Sequence, residues 1–236
     1  MLFLLMLWRD ALGERIRITA SDGFTLNAYA APPAGTPKGG VVVIQEVWGL
    51  NRWTRSEVDR YAAEGYFAIA PAILDRVEFG YESEDYGQTG FAKIGELLKG
   101  FNQETLLPDV EAAVKAVAEA GKVGITGYCF GGMTSWRAAH AGLGLSAASG
   151  YYGGGVPNYI DLAPVIPIEM HFGEKDTGIP LDQVEALRAK YPNVPIYLYP
   201  GAVHGFCNAD RPDHYNAEAC KQANARTLAF FAEHLA

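Results

Sequence analysis

The 236-residue chain predicts a doubly wound α/β domain, a mostly parallel sheet with helices on both faces, on three observations. Residues 41–44, Val-Val-Val-Ile, have the pattern of a strand buried on both faces, which belongs to parallel sheets covered by helices. Strand-like runs and helical stretches then alternate along the chain, with no internal repeat or low-complexity linker between them. An apolar share of 49% is enough to fill one core of this size. Residues 15–236 read as a single domain, and residues 1–14 as an N-terminal extension whose structure the sequence leaves open.

From Arg15 the alternation through Ile16, Ile18 and Leu26 to Tyr29, with Asp22-Gly23 between, predicts a hairpin and hence an antiparallel edge. After the 41–44 strand, a helix is expected over 53–64, closed by Gly65, then a second buried strand over 66–70 up to Pro71. The segment 72–90 is polar, aromatic and irregular, too long for a simple connector, and is expected to contact substrate. Pro108 opens the next helix, whose Val110, Val114 and Val117 share a face, and Gly121 ends it. A strand over 122–126 runs into a glycine-rich turn and a helix to about His140. Strands over 167–172 and 195–199 flank a helix near 181–190, and a last amphipathic helix carries Cys220, Leu228, Phe231 and Leu235.

A net charge of -8, without a Lys/Arg cluster, argues against nucleic acid or an anionic membrane as partner and leaves a small molecule. The opening run, residues 1–8, is apolar, but no basic residue precedes it and it falls far short of a membrane span. Cys129, Cys207 and Cys220 are odd in number, lack the spacing of a disulfide framework or a zinc site, and suit a reducing, cytoplasmic compartment. No metal is expected.

The sharpest chemical signal is Gly127-Tyr128-Cys129-Phe130-Gly131, because a strand–turn–helix with glycines on both sides of a nucleophile is what a nucleophile elbow requires. The turn crowds backbone against backbone, so the flanking residues must lack Cβ. A thiol at a helix start gains from the dipole, and the Phe130 N–H faces a developing oxyanion. His204, just after the last strand, is the expected base. His171 lies inside an apolar strand, His140 ends a helix, and His214 and His234 fall in the final helical region. Asp176, following the strand that ends at Phe172-Gly173, would orient the imidazole, with Glu174 and Asp182 as rivals. The order Cys129, Asp176, His204 is the nucleophile–acid–base order of α/β-hydrolases. Val47, in the loop after the first buried strand, is the candidate second oxyanion donor. Glu46 is a carboxylate beside a buried strand, which needs either a partner or a function.

Together, Gln45-Glu46-Val47-Trp48-Gly49-Leu50-Asn51, residues 127–132, Gly150-Tyr151-Tyr152-Gly153, Asp176 and His204-Gly205-Phe206 resemble the dienelactone hydrolase family from about Arg15 to the C-terminus. The resemblance implies a Cys-His-Asp triad with a largely neutral resting thiol that contacts Glu46, a carboxylate that helps form the thiolate when substrate binds. It implies neither a metal nor an organic cofactor, and a small lactone or ester as substrate; the chain is expected to be a monomer or weak homodimer. Family members bind a substrate carboxylate through arginines, and Arg76 matches one such position; at the other, four residues after the histidine, stands Asn208, with Arg211 slightly further on. The expected reaction is enol-lactone hydrolysis of the dienelactone-to-maleylacetate type. Asn208 favours the alternative of a broader esterase for activated or aryl esters. Two further alternatives are a non-catalytic binding protein on the same fold and a redox sensor in which Cys207 resolves oxidised Cys129.

Overall fold

The computed structural model describes residues 13–236, so the apolar run 1–8 lies outside the described residues. A hairpin of β1 (Glu14–Thr19) and β2 (Thr25–Ala31) leads into β3 (Gly40–Ile44), α1 (Arg52–Ala63) and β4 (Phe67–Pro71). Then follow α2 (Gln88–Lys99), α3 (Leu106–Val117), β5 (Val123–Tyr128), α4 (Phe130–Ala141) and β6 (Leu145–Tyr151). The chain closes with β7 (Ile168–Gly173), α5 (Leu181–Lys190), β8 (Ile196–Tyr199) and α6 (Ala217–His234). The eight strands form one sheet in the order β1-β2-β4-β3-β5-β6-β7-β8. β1–β2 and β2–β4 are antiparallel, and every pair from β4 onward is parallel.

The topology follows from right-handed crossovers. The chain steps from β3 back to β4 and then forward over β3 to β5, so α1 lies on one face and α3 on the other. α4 and α5 continue on the α3 side, and α6 returns to the α1 side, where Phe231 packs against Tyr61 and Tyr66. The two parallel strands nearest the centre, β3 and β5, are buried along their whole length, as the β-branched run predicts.

Two elements were not legible in the sequence. β6, Leu-Ser-Ala-Ala-Ser-Gly-Tyr, has little β propensity and is held as a strand by pairing on both sides. α2 carries Gly90 and Gly95, and it occupies chain next to the segment expected to be irregular.

Arg76 sits in a short 3₁₀ turn after β4, and its position is a correction to the expectation that it binds substrate. Its Nε and Nη2 donate to Asp109 on α3, while Nη1 and Nη2 donate to Asp22 in the β1–β2 turn. The guanidinium also stacks 4.1 Å over Phe24. Asp109 is fully buried, and a buried carboxylate requires a counter-charge, so Arg76 is committed to it. Arg76→Ala is expected to destabilise the fold by about 2–3 kcal/mol, read by thermal melting, because Asp109 would be left buried and unpaired. KM for a carboxylated ester should stay near its original value, and a selective rise in that KM would restore Arg76 to the substrate.

Candidate active site

Most of the side chains singled out in the sequence gather at the C-terminal ends of β3, β5, β7 and β8, the end at which parallel α/β sheets hold their ligands. At the end of β5, Cys129 adopts φ 56°, ψ -108°, a backbone conformation that side chains rarely take, and α4 begins at the next residue. The glycines around it are there for space. A Cβ on Gly127 would stand 2.1 Å from the Gly131 carbonyl oxygen, and one on Gly131 would stand 2.3 Å from that of Ile44 on β3. A Cβ on Gly132 would likewise stand 2.4 Å from the Tyr151 carbonyl oxygen. The Cys129 N–H donates to the Tyr151 carbonyl at 2.9 Å, fastening the turn to β6. As first residue of α4, Phe130 has an N–H with no acceptor inside the helix.

The loops after β7 and β8 are stapled to each other. Glu174 N–H donates to Tyr199 O and Lys175 N–H to Ala202 O, while Gly173 lets the second loop approach to a distance that a Cβ would block. This brings Asp176 Oδ2 to 2.7 Å from His204 Nδ1. Asp176 Oδ1 accepts from Gly178 N–H, and the carboxylate is buried. The rival acids point elsewhere: Glu174 accepts from Gly201 N–H at 3.0 Å, and Asp182 accepts from Gln183 N–H at the start of α5. Burial works to lower the His204 pKa. The charge of Cys129 and the hydrogen bonds to Asp176 and Cys129 outweigh it and push the pKa up to about 11.

Glu46 follows β3 and is 2% exposed. Its Oε2 accepts from Asn208 Nδ2 at 2.8 Å, whereas Oε1 has no hydrogen-bond partner among the described residues. Burial raises its pKa, opposed by the Asn208 hydrogen bond and by the charges of His204 and Arg211. Tyr152, at φ 38°, packs edge-on against His204 with ring centres 5.2 Å apart, and its buried hydroxyl is also unpartnered. Burial, then the charges of Glu46 and Cys129, hold that hydroxyl well above the usual tyrosine range. Val47 follows Glu46 in a turn and is partly exposed. The aromatics whose place the sequence left open, Trp48, Tyr81, Tyr152 and Phe206, are all buried. Within the segment 72–90, Tyr86 packs edge-on against Trp48, as does Phe91 of α2, and Asn51 Nδ2 donates to Ser83 O and the Tyr86 hydroxyl.

Four further residues stand close by. Arg211 is 9% exposed and, among the described residues, makes no ion pair. Its Nη1 lies 3.0 Å from where a Cβ on Gly205 would sit, and Glu46 Oε1 lies 3.9 Å from the same point. His214 precedes α6 rather than lying within it, and bonds both Arg211 and the His204 carbonyl. Cys207 and Cys220 form a disulfide, because the first turns of α6 return beside the His204 loop. That corrects the reading of these cysteines as unpaired: Cys207 is not available to resolve Cys129, and the argument for a reducing compartment falls with it.

No metal-holding cluster of His, Cys, Asp or Glu occurs among the described residues, and no described helix is long and apolar enough to cross a membrane. A cavity of about 720 Å³ beside Ile166, Pro195, Tyr197 and Phe230 lies toward the other end of β7 and β8 and takes no part in this cluster.

Sheet order, elbow and strand-end carboxylate and histidine define an α/β-hydrolase. Residues 26–235 match the sequence model of the dienelactone hydrolase family. The chain belongs to the dienelactone hydrolase family and is an enzyme hydrolysing ester bonds. It is 34% identical to a protein of Azospirillum brasilense provisionally named carboxymethylenebutenolidase, over 93% of this chain and 98% of that one. It is 30% identical to the carboxymethylenebutenolidase of Pseudomonas putida, over 94% and 97%. Among solved structures, a Klebsiella pneumoniae protein provisionally named dienelactone hydrolase is similar with TM-score 0.76 and 29% identity, over 93% of this chain and 99% of that one. A dienelactone hydrolase-like promiscuous phosphotriesterase from metagenomic libraries shares the fold, with TM-score 0.80 at 20% identity, covering 95% and 100%.

Proposed function

We propose that the protein hydrolyses an enol lactone or activated ester carrying an anionic group, through a thioester on Cys129. The observation that carries this reading is the Asp176–His204 hydrogen bond beside a nucleophile held at positive φ on a glycine-packed elbow. His204 takes the thiol proton and the thiolate attacks the carbonyl carbon. The oxyanion is held by the N–H groups of Phe130 and Val47, and the enolate leaves as the carbonyl reforms. The imidazolium gives the thiol's proton to the departing enolate, so neutral His204 can then take a proton from water as it attacks the thioester, and it returns that proton to Cys129 as the acid is released. An enolate is a good leaving group, so the step needs little acid assistance, and a thiol suffices. No cofactor enters.

Dienelactone to maleylacetate is the reaction of this type that the family suggests. Arg211 replaces Arg76 as the cation for the substrate carboxylate, since it is buried, close to Glu46 and free of ion pairs among the described residues. Glu46 assists thiolate formation once the substrate disturbs its contacts. A broader esterase is the second reading, favoured by Asn208, a neutral donor on Glu46 where the family carries an arginine. The test is kcat/KM on dienelactone and on a neutral aryl ester, with Cys129→Ala as blank. A lactone preference of about 100-fold is expected, and an equal or reversed preference moves the assignment to the broader esterase.

Glu46 supplies a prediction with a definite sign. Burial keeps its carboxyl neutral in the folded protein at pH values where the unfolded chain has already ionised it. Stability from this position is full below the unfolded pKa and is lost as pH rises through the raised folded one. Glu46→Gln is expected to raise Tm by roughly 2–4 °C at pH 8, about 1 kcal/mol, with a smaller gain at pH 4, while turnover falls about 10- to 100-fold. An equal Tm shift at both pH values would remove the ionisation argument.

A further inference from the structure

Between β8 and α6 the chain from Gly205 to Asn216 is a succession of turns: Asn208 N–H donates to Gly205 O, Arg211 N–H to Asn208 O, and His214 N–H to Arg211 O. At the end of this succession the side chain of His214 turns back on it. Its Nδ1 is 2.6 Å from the His204 carbonyl oxygen, and its Nε2 is 3.1 Å from Arg211 Nη2. A carbonyl oxygen only accepts, so Nδ1 carries the hydrogen, and a guanidinium only donates, so Nε2 is bare. The two bonds together fix a neutral imidazole in the Nδ1–H tautomer.

Arg211 needs such support. Its charge is buried, its ring neighbour is Tyr86 at 5.8 Å, and no carboxylate forms an ion pair with it among the described residues. A buried cation without a counter-ion is costly, and the cost is recovered only when an anion arrives. An aspartate or glutamate at position 214 would hold the guanidinium equally well but would cancel its charge. A neutral acceptor holds it and leaves the charge available.

We propose that His214 is a positioning residue that fixes Arg211 beside the Glu46–His204 cluster without neutralising it, and thereby sets the preference of the site for anionic esters. This rests on the reading of the cluster as an ester-hydrolysing site. Because the same imidazole holds the His204 carbonyl, the base and the substrate-facing cation move as one unit.

The test compares two side chains of equal size. His214→Gln keeps a donor for His204 O and a neutral acceptor for Arg211, whereas His214→Glu keeps an acceptor but brings a negative charge. The readout is the ratio of KM for a neutral aryl ester to KM for its carboxylated counterpart. For this ratio His214→Gln is expected to stay within about threefold of wild type and His214→Glu to lose at least tenfold; kcat on the neutral ester should fall further in His214→Glu, which no longer donates to the His204 carbonyl, and the ratio of KM values separates the two effects. The same ratio in the two variants overturns the proposal. ¹⁵N NMR of the wild-type imidazole is expected to show a protonated Nδ1 and a bare Nε2; an Nε2–H tautomer also overturns it. If neither ester is turned over in a Cys129-dependent way, the hydrolase reading has failed. Calorimetric titration with maleate then still decides the positioning role: binding at least tenfold weaker in His214→Glu than in His214→Gln supports it, and equal binding overturns it.

Discussion

Cys129→Ala is expected to lower kcat/KM on any accepted ester by on the order of 10⁴-fold or more, and His204→Ala by a similar factor. The thiolate is the bond-forming group in this reading, and nothing else at the end of β5 can replace it. The histidine both receives the thiol proton and activates the water for the second step, so its loss stops the reaction at two points. Residues that act as one unit are not additive, and the double variant should therefore be little worse than either single one. Single-turnover measurements with an aryl ester separate the two steps. Wild type should release the aryl alcohol in a burst followed by slower turnover if thioester hydrolysis limits the rate, and Cys129→Ala should show no burst. A His204→Ala variant that retained full activity would remove His204 from the reaction, and Asp176 with it.

Gly127→Ala is expected to have the largest structural effect. The added methyl would fall 2.1 Å from the carbonyl oxygen of Gly131, and that atom belongs to the backbone of the first turn of α4, so no side chain can swing aside. Relief requires α4 to move away from β5, which also carries Phe130 N–H and Cys129 out of position. A loss of about 3 kcal/mol or more is expected, lowering Tm by roughly 6–12 °C, together with loss of turnover. Gly35→Ala is the matched control, since a Cβ there has open space around it, and it should leave Tm and activity unchanged. A Gly127→Ala protein with the wild-type Tm would mean that the elbow is far more compliant than its close backbone contacts imply.

Legibility in the sequence followed the strength of the local physical constraint. The β-branched 41–44 run became β3, because four consecutive apolar residues match its burial on both faces, and residues 181–190 became α5 with the expected bounds. The elbow was readable because sterics leave so few choices of residue beside a left-handed nucleophile. β6 was not, because serines and alanines become a strand only through the neighbours on both sides. Cys129, Asp176 and His204 could be brought together from the sequence because each follows the end of a parallel strand. His214 and the Cys207–Cys220 pair were missed because their contacts depend on how the turns from Gly205 to Asn216 fold back, which no local periodicity records. Arg76 was read as a substrate contact because nothing local in the sequence records that Asp22 and the buried Asp109 converge on its guanidinium.

The Cys207–Cys220 bridge closes a ring of chain that contains Asn208, Arg211 and His214 but leaves Cys129, Asp176 and His204 outside. The residues argued to choose the substrate and those argued to break its bond are thus held by different means, a covalent loop for the first and strand ends for the second. Selection acting on new esters can therefore work through substitutions within one short ring, while the bond-breaking apparatus is inherited unaltered.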